Sequence, residues 1–268
     1  MSQSQEIEVG FTAKVMAAAR AIESRRPNAL FIDPFAELLA GAEAISSAIP
    51  RLEEYEKQGR PFIAVRTRFF DDFLLNHSSC CRQVIIVGSG MDTRAFRLNW
   101  KSDTHVYEID QASVLQYKQS CLSGMAPQCH QHLIYADLRE TLWQKLLLCQ
   151  GYQPSQPSLW LLEGLLYYLN QDEVENLLVT INHLSVVGSG LAADLMNPVI
   201  ANGSDQWAKY WRSSCEDPES LFAHYGWKAS VTQPGEPGAS FGRFTYQFPD
   251  RSRADAPHIF LVTATKEL

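Results

Sequence analysis

The feature that most constrains this chain is the apolar run Gln83–Val87 (QVIIV), which breaks directly into the glycine turn GSG at Gly88–Gly90. A run with no polar alternation suits a strand buried on both faces, as in a parallel sheet covered by helices. Further candidate strands follow at 104–110, 132–136, 158–162, 191–195 and 259–263. Between them lie helical segments at roughly 111–123, 139–149 and 171–185. In the last, Asn170 and Glu173 form a capping pattern, and Val174, Leu177, Leu178, Ile181 and Leu184 form an apolar stripe. Strand and helix in repeated alternation predict an α/β fold: an open, mostly parallel twisted sheet with helices on both faces.

The pattern changes near residue 80. Residues 1–80 read as an N-terminal helical segment that covers part of the cofactor and substrate sites, and 81–268 as the α/β domain. Asp33-Pro34 predicts a helix over 33–46, with Asp33 as N-cap and Pro34 in the first turn. A second helix is expected over 61–76, with Phe69, Phe70, Phe73 and Leu74 on one face. Arg66 falls in the middle of that apolar stripe. Arg68 lies opposite, in reach of Asp71 or Asp72. Two stretches, about 197–216 and 232–256, read as irregular cover over the carboxyl edge of the sheet, where ligands bind in such folds.

Two glycines at the first strand-to-helix turn let backbone N–H groups approach a ligand. The next strand ends in Asp110, 20 residues after Gly90, where an acid can accept hydrogen bonds from both ribose hydroxyls of an adenosine. The dinucleotide pattern needs a third glycine, and that place holds Thr93. This counts against NAD and favours S-adenosylmethionine (SAM), which carries an adenosine but no phosphate. Acids recur at the strand ends: Asp137 after the third, Glu163 after the fourth. Such an edge attracts a cation bearing an ammonium and a sulfonium. Leucines flank Glu163, so burial should raise its pKa unless a cation pairs with it; SAM is the expected partner.

Composition narrows the classes further. With 23 Lys+Arg against 30 Asp+Glu, the formal charge is -7, which argues against nucleic-acid and anionic-membrane partners. No window reaches the roughly 20 apolar residues of a membrane span, and MSQSQEIEVG lacks the pattern of a secretion signal. The six cysteines show no CxxC pair and no metal-ligand spacing, so reduced thiols, a cytoplasmic location and no metal site are expected.

The segments GSGMDTRAFRL, YEIDQASVLQYK, ADLR and EGLLYYL resemble, in order, the motifs of the leucine carboxyl methyltransferase-like family. DPFAELL, AVRTRFFDDFL and the late GW near Trp227 resemble it too, so the likeness runs from about residue 12 to 265. The family contains class I (Rossmann-like) SAM-dependent methyltransferases that act on a protein C-terminal carboxylate. It also contains bacterial relatives that act on small molecules, polyketide carboxylates included. The resemblance implies cofactor roles for Gly88 and Gly90 around the methionine part of SAM and for Asp110 at the ribose. Asp137 and Leu138 are implied at the adenine, Glu163 at the ammonium, and Asp92 with Thr93 either in support of the turn or in contact with the ammonium. Arg66 is implied to bind a carboxylate of SAM and of the substrate, and Tyr168 to reach the substrate. A basic residue before the DP motif also binds SAM in the family; Arg20 and Lys14 are the candidates.

Methyl transfer from SAM is an in-line displacement that needs a nucleophile held about 3–3.5 Å from the methyl. A carboxylate is already ionised at neutral pH and needs no general base, only a positive clamp. Arg66 is the first candidate for that clamp and Arg94 the second. No His–Asp dyad lies near the motifs, although His224 and His258 sit in the late segments, and neither GxSxG nor HExxH is present. The expected activity is therefore SAM-dependent O-methylation of a carboxylate on a small molecule or peptide. The alternatives are an NAD-type dehydrogenase, a phenol methyltransferase and a non-catalytic SAM-binding protein.

Overall fold

A computed structural model describes residues 3–267, with side chains from residue 10 onward. Three helices come first: α1 (Gln3–Ser24), α2 (Ala36–Lys57) and α3 (Phe62–His77). The alternating part then runs β1 (Gln83–Val87), α4 (Arg94–Arg97), β2 (His105–Asp110), α5 (Ala112–Cys121), β3 (His130–Tyr135), α6 (Leu142–Cys149), β4 (Ser158–Leu162), α7 (Gln171–His183) and β5 (Gly190–Met196). The chain closes with α8 (Pro198–Ala201), α9 (Pro218–His224), β6 (Trp227–Thr232) and β7 (Ile259–Lys266).

The seven strands lie in the order β3-β2-β1-β4-β5-β7-β6. β1 to β5 are parallel, and β7 runs antiparallel to both β5 and β6. This is the expected α/β architecture, an open and mostly parallel sheet. The reversal of order beside β1 opens a crevice at the carboxyl ends of the parallel strands, where ligands bind in such sheets.

Every residue of β1 and β4 is buried. Side chains along a strand alternate between faces. Ile85 and Val87 enter one core with Trp160, Leu162 and the α7 stripe Val174, Leu177, Leu178 and Ile181. Val84 and Ile86 enter the other with Leu159, Leu161, Val65, Phe70, Phe73 and Leu74. The N-terminal helices thus complete the second core as well as overhanging the crevice. Ala17 and Ala18 of α1 and Leu39, Ala40 and Ala44 of α2 belong to it too. The capping box of α7 forms as expected: Asn170 accepts from the Glu173 N–H and Glu173 from the Asn170 N–H.

Several boundaries differ from expectation. The second helix begins at Ala36 rather than after Asp33: Asp33 Oδ1 closes a turn with the Phe35 N–H (3.1 Å), while Oδ2 is drawn inward to Arg20 and Thr93. It runs on to Lys57 across a kink at Gly41, where φ is +72°. α1 and the edge strand β6 have no expected counterpart. Among the described residues no helix is long and apolar enough to cross a membrane.

Candidate functional site

At the carboxyl edge of β1–β4 lies a cavity of about 210 Å³. Gly88, Gly90, Asp92, Asp110, Asp137, Leu138, Glu163, Arg66 and Tyr168, spread over a hundred residues of sequence, all line it. Arg20 lines it as well, bonded to Asp33 (2.8 Å). Lys14 does not; its ammonium stacks on the Tyr117 ring at 3.8 Å. Of the two basic candidates, only Arg20 faces the cavity.

The glycine turn shows why these positions lack side chains. Gly88 has φ +67°, and a Cβ there would stand 2.9 Å from Leu165 Cδ1. Gly90 has φ +48° and donates its N–H to Asp110 (2.6 Å). Asp110 also accepts from the Gln111 N–H (2.7 Å). No cation pairs with Asp110 among the described residues. Burial raises its pKa, and the two backbone bonds only partly offset this. Such a partly buried carboxylate, with lone pairs to spare, is suited to hydroxyl donors. Asp137 is tied to the loop that follows it, accepting from Arg139 N (2.9 Å) and Nε (2.8 Å). The Arg139 hydrogen bond lowers its pKa.

Behind the turn runs a buried ladder of alternating charges. Arg20 meets Asp33 (2.8 Å), and Asp33 meets Arg97 (3.9 Å). Arg97 meets Asp71 (2.6 Å), and Asp71 meets Arg94 (2.7 Å). Arg94 also contacts Asp92 and meets Glu163 (2.7 Å). Glu163 continues to Arg66 (3.0 Å), and Arg66 to Asp194 (2.8 Å). Within this ladder four guanidiniums hold five carboxylates. Burial alone would raise the Asp92 pKa, but Arg94, with weaker help from Lys118, Arg97 and Arg20, takes it down to about 2.

The ladder corrects three expectations. Glu163 does not wait for a cofactor cation: burial works to raise its pKa, yet Arg94 and Arg66 hold it below the usual range. Arg66 is not a free clamp, since Asp194 and Glu163 neutralise it and the Tyr167 hydroxyl lies 3.3 Å from Nη1. Arg94, the second clamp candidate, is bound to Asp71, Asp92 and Glu163. On α3, Arg68 selects Asp72 (2.8 Å) because Asp71 serves the ladder. Asp194 went unnoticed in the sequence, although it follows the same pattern of acids near strand ends. It accepts from Arg66 and from the Gly164 N–H (2.6 Å).

A second cavity of about 910 Å³ adjoins the first, and Met16, Arg66, Tyr167 and Tyr168 line both. Burial raises the pKa of both tyrosines, that of Tyr167 well above its ordinary value. They are neutral donors at physiological pH. Among the described residues no histidine lines either cavity. His258 is held by Gln233 (2.9 Å) and the Arg253 carbonyl (2.9 Å), and His224 packs on Tyr225. The late histidines are therefore not placed as bases.

The family model for leucine carboxyl methyltransferase matches residues 13–182. The chain belongs to that family. Relatives named as S-adenosyl-L-methionine-dependent methyltransferases span nearly the whole chain. One from Saccharopolyspora erythraea is 34% identical over 88% of this chain and 88% of its own. One from Mycobacterium sp. strain JLS is 35% identical over 96% and 95%. A DUF574-family protein of Streptomyces avermitilis superimposes with a TM-score of 0.59 at 12% identity, covering 94% of this chain and 97% of that one. That likeness supports the fold alone. The matched range includes residues of the segments GSGMDTR, ADLR and EGLLYYL that line the smaller cavity.

Proposed function

We propose that this methyltransferase transfers a methyl group from SAM to a carboxylate oxygen of a small molecule with a bulky apolar body. The carrying observation is the pairing of the two cavities. The smaller has a glycine turn and the strand-end acids Asp110, Asp137 and Glu163. The larger is aromatic and contains no histidine base. They meet at Arg66, Tyr167 and Tyr168.

The residues fit SAM better than a dinucleotide. Thr93 is buried and donates to Asp33 (2.7 Å), where a dinucleotide site needs a glycine. The helix after the turn has only four residues, and Asp92 stands in the turn. A pyrophosphate would meet repulsion there and little helix dipole. Gly88 and Gly90 admit the methionine part, Asp110 takes the ribose hydroxyls, and Asp137 with Leu138 borders the adenine. Asp92 and Glu163 line the cavity beside the turn and would face the ammonium and sulfonium. Bound SAM supplies an activated methyl group.

The chain's own residues then orient and desolvate the acceptor. Tyr167 is fixed between Arg66 and Asp194, each 3.3 Å from its hydroxyl. Tyr168 lies at the shared wall in reach of Thr12 and Trp211, and we assign it to positioning the acceptor oxygen. Arg66, already neutralised, acts by holding this wall in place rather than as the primary anion clamp. The cysteine usage, with no CxxC pair or disulfide framework in the sequence, supports a cytoplasmic location.

With a carboxylate acceptor and saturating SAM, kcat/KM for the acceptor should stay flat between about pH 6 and 9, because the nucleophile is ionised throughout and the tyrosines stay protonated. A phenol acceptor would instead show a rate rising with pH toward about 10. Base-labile methyl esters and a flat profile support the reading. Base-stable ethers with a rising profile contradict it.

A further inference from the structure

We propose that Arg60 is the anion receptor of the larger cavity, holding a second carboxylate at the end of the substrate remote from the methylated one. This rests on the methyl-transfer reading above for the direction of the substrate. The receptor itself is argued from the cavity.

Four arginines line that cavity, and three are already neutralised. Arg26 meets Glu56 (3.3 Å) and Glu23 (3.5 Å). Arg51 contacts Asp205 and Tyr55. Arg66 belongs to the ladder. The three carboxylates in the lining, Glu23, Glu56 and Asp205, are all held by arginines, Arg243 being the further partner of Glu23 and Glu56. Arg60 alone forms no ion pair among the described residues, and its buried Nε has no hydrogen-bond partner.

The position of Arg60 is built rather than incidental. Its N–H donates to the Tyr55 carbonyl (2.8 Å). The Gly59 carbonyl accepts from Thr245 N (2.9 Å) and Tyr246 N (3.2 Å), clamping that segment onto the turn. Gly59 has φ +69°, and a Cβ there would lie 2.0 Å from Thr245 Oγ1, so the close approach requires glycine. The clamp places the Tyr246 ring 3.6 Å from the Arg60 guanidinium. Stacking of this kind orients a guanidinium while leaving its edge free for bidentate recognition of a carboxylate.

Arg60 lies two residues before α3 and shares the cavity with Arg66, which stands at the wall toward the smaller one. Phe62, Trp207, Trp211, Phe244, Tyr246 and Phe248 line the same space. The substrate class that fits is an aryl or similarly bulky diacid that spans the cavity, of which the carboxylate at Tyr168 is methylated.

The test is a titration of tryptophan fluorescence with biphenyl-4,4′-dicarboxylate and with its neutral diamide, since Trp207 and Trp211 report from the cavity wall. The diacid should bind at least tenfold more tightly. Arg60→Ala and Arg60→Gln should abolish that preference while leaving diamide affinity within about twofold. Arg60→Lys should restore part of it. Equal affinity for the two probes, binding of neither, or a preference that survives in Arg60→Ala overturns the proposal. Run without cofactor, the titration reads Arg60 alone. Failure of the methyl-transfer reading would show separately, as absent binding of S-adenosylhomocysteine in calorimetry.

Discussion

Arg94→Met is expected to lower the melting temperature by roughly 6–20 °C, the equivalent of about 3–5 kcal/mol for a chain of this size. Arg94 is 2% exposed. Its guanidinium reaches Asp71 and Glu163, each at 2.7 Å, and contacts Asp92, while its carbonyl accepts from the Trp100 indole (2.7 Å). Removing it leaves three carboxylates with too little positive charge, and Asp92 and Glu163 would shift toward protonation. An uncompensated buried charge costs far more than the pair contributed. Arg94→Lys should recover only part of the loss, because a single ammonium cannot serve three carboxylates in the planar geometry of a guanidinium. Circular-dichroism melts of the three proteins at pH 7 check this. A melting point within 2 °C of wild type for Arg94→Met would show that the ladder is not what holds the turn.

Asp110→Ala is expected to weaken binding of SAM and S-adenosylhomocysteine by about 1.5–3 kcal/mol, or roughly ten- to a hundredfold in Kd. Hydrogen bonds to a charged group are worth about this much, and in this site they run to the ribose hydroxyls. The same carboxylate secures Gly90 at 2.6 Å, so the variant also loosens the turn. Asp110→Asn should be intermediate, since an amide oxygen still accepts but carries no charge. Calorimetry with S-adenosylhomocysteine checks this. The Asp110→Ala protein should melt near the wild-type temperature, because burial without a paired cation makes this carboxylate costly to fold around. Unchanged affinity would remove Asp110 from the site.

The parallel strands were legible because each is a short apolar run bounded by turn residues, and β1 and β4 occupy the very residues that the pattern marks out. β6 was not, because WKASVT is a half-polar edge strand recognised only through its pairing with β7. α1 was not delimited either. The small residues of Ala17–Ala21 make it close-packing rather than visibly amphipathic. In the site, the cofactor-lining positions were legible because glycines and acids at strand ends have few other uses in a parallel sheet. What stayed hidden was the pairing. Arg66, Arg94, Glu163 and Asp194 come from α3, α4, the exit of β4 and β5, and no local pattern reveals that they neutralise one another. Arg60 stayed hidden for the opposite reason. Its significance is the lack of an ion pair, visible only once every neighbouring charge has been placed.

The most direct test of the central claim is a crystal structure with bound S-adenosylhomocysteine. The account predicts adenosine between Asp110 and Leu138, the amino-acid end at the glycine turn, and sulfur facing the larger cavity past Tyr168. A ligand whose sulfur points away from that cavity, or a smaller cavity occupied by a phosphate-bearing nucleotide instead, would contradict it.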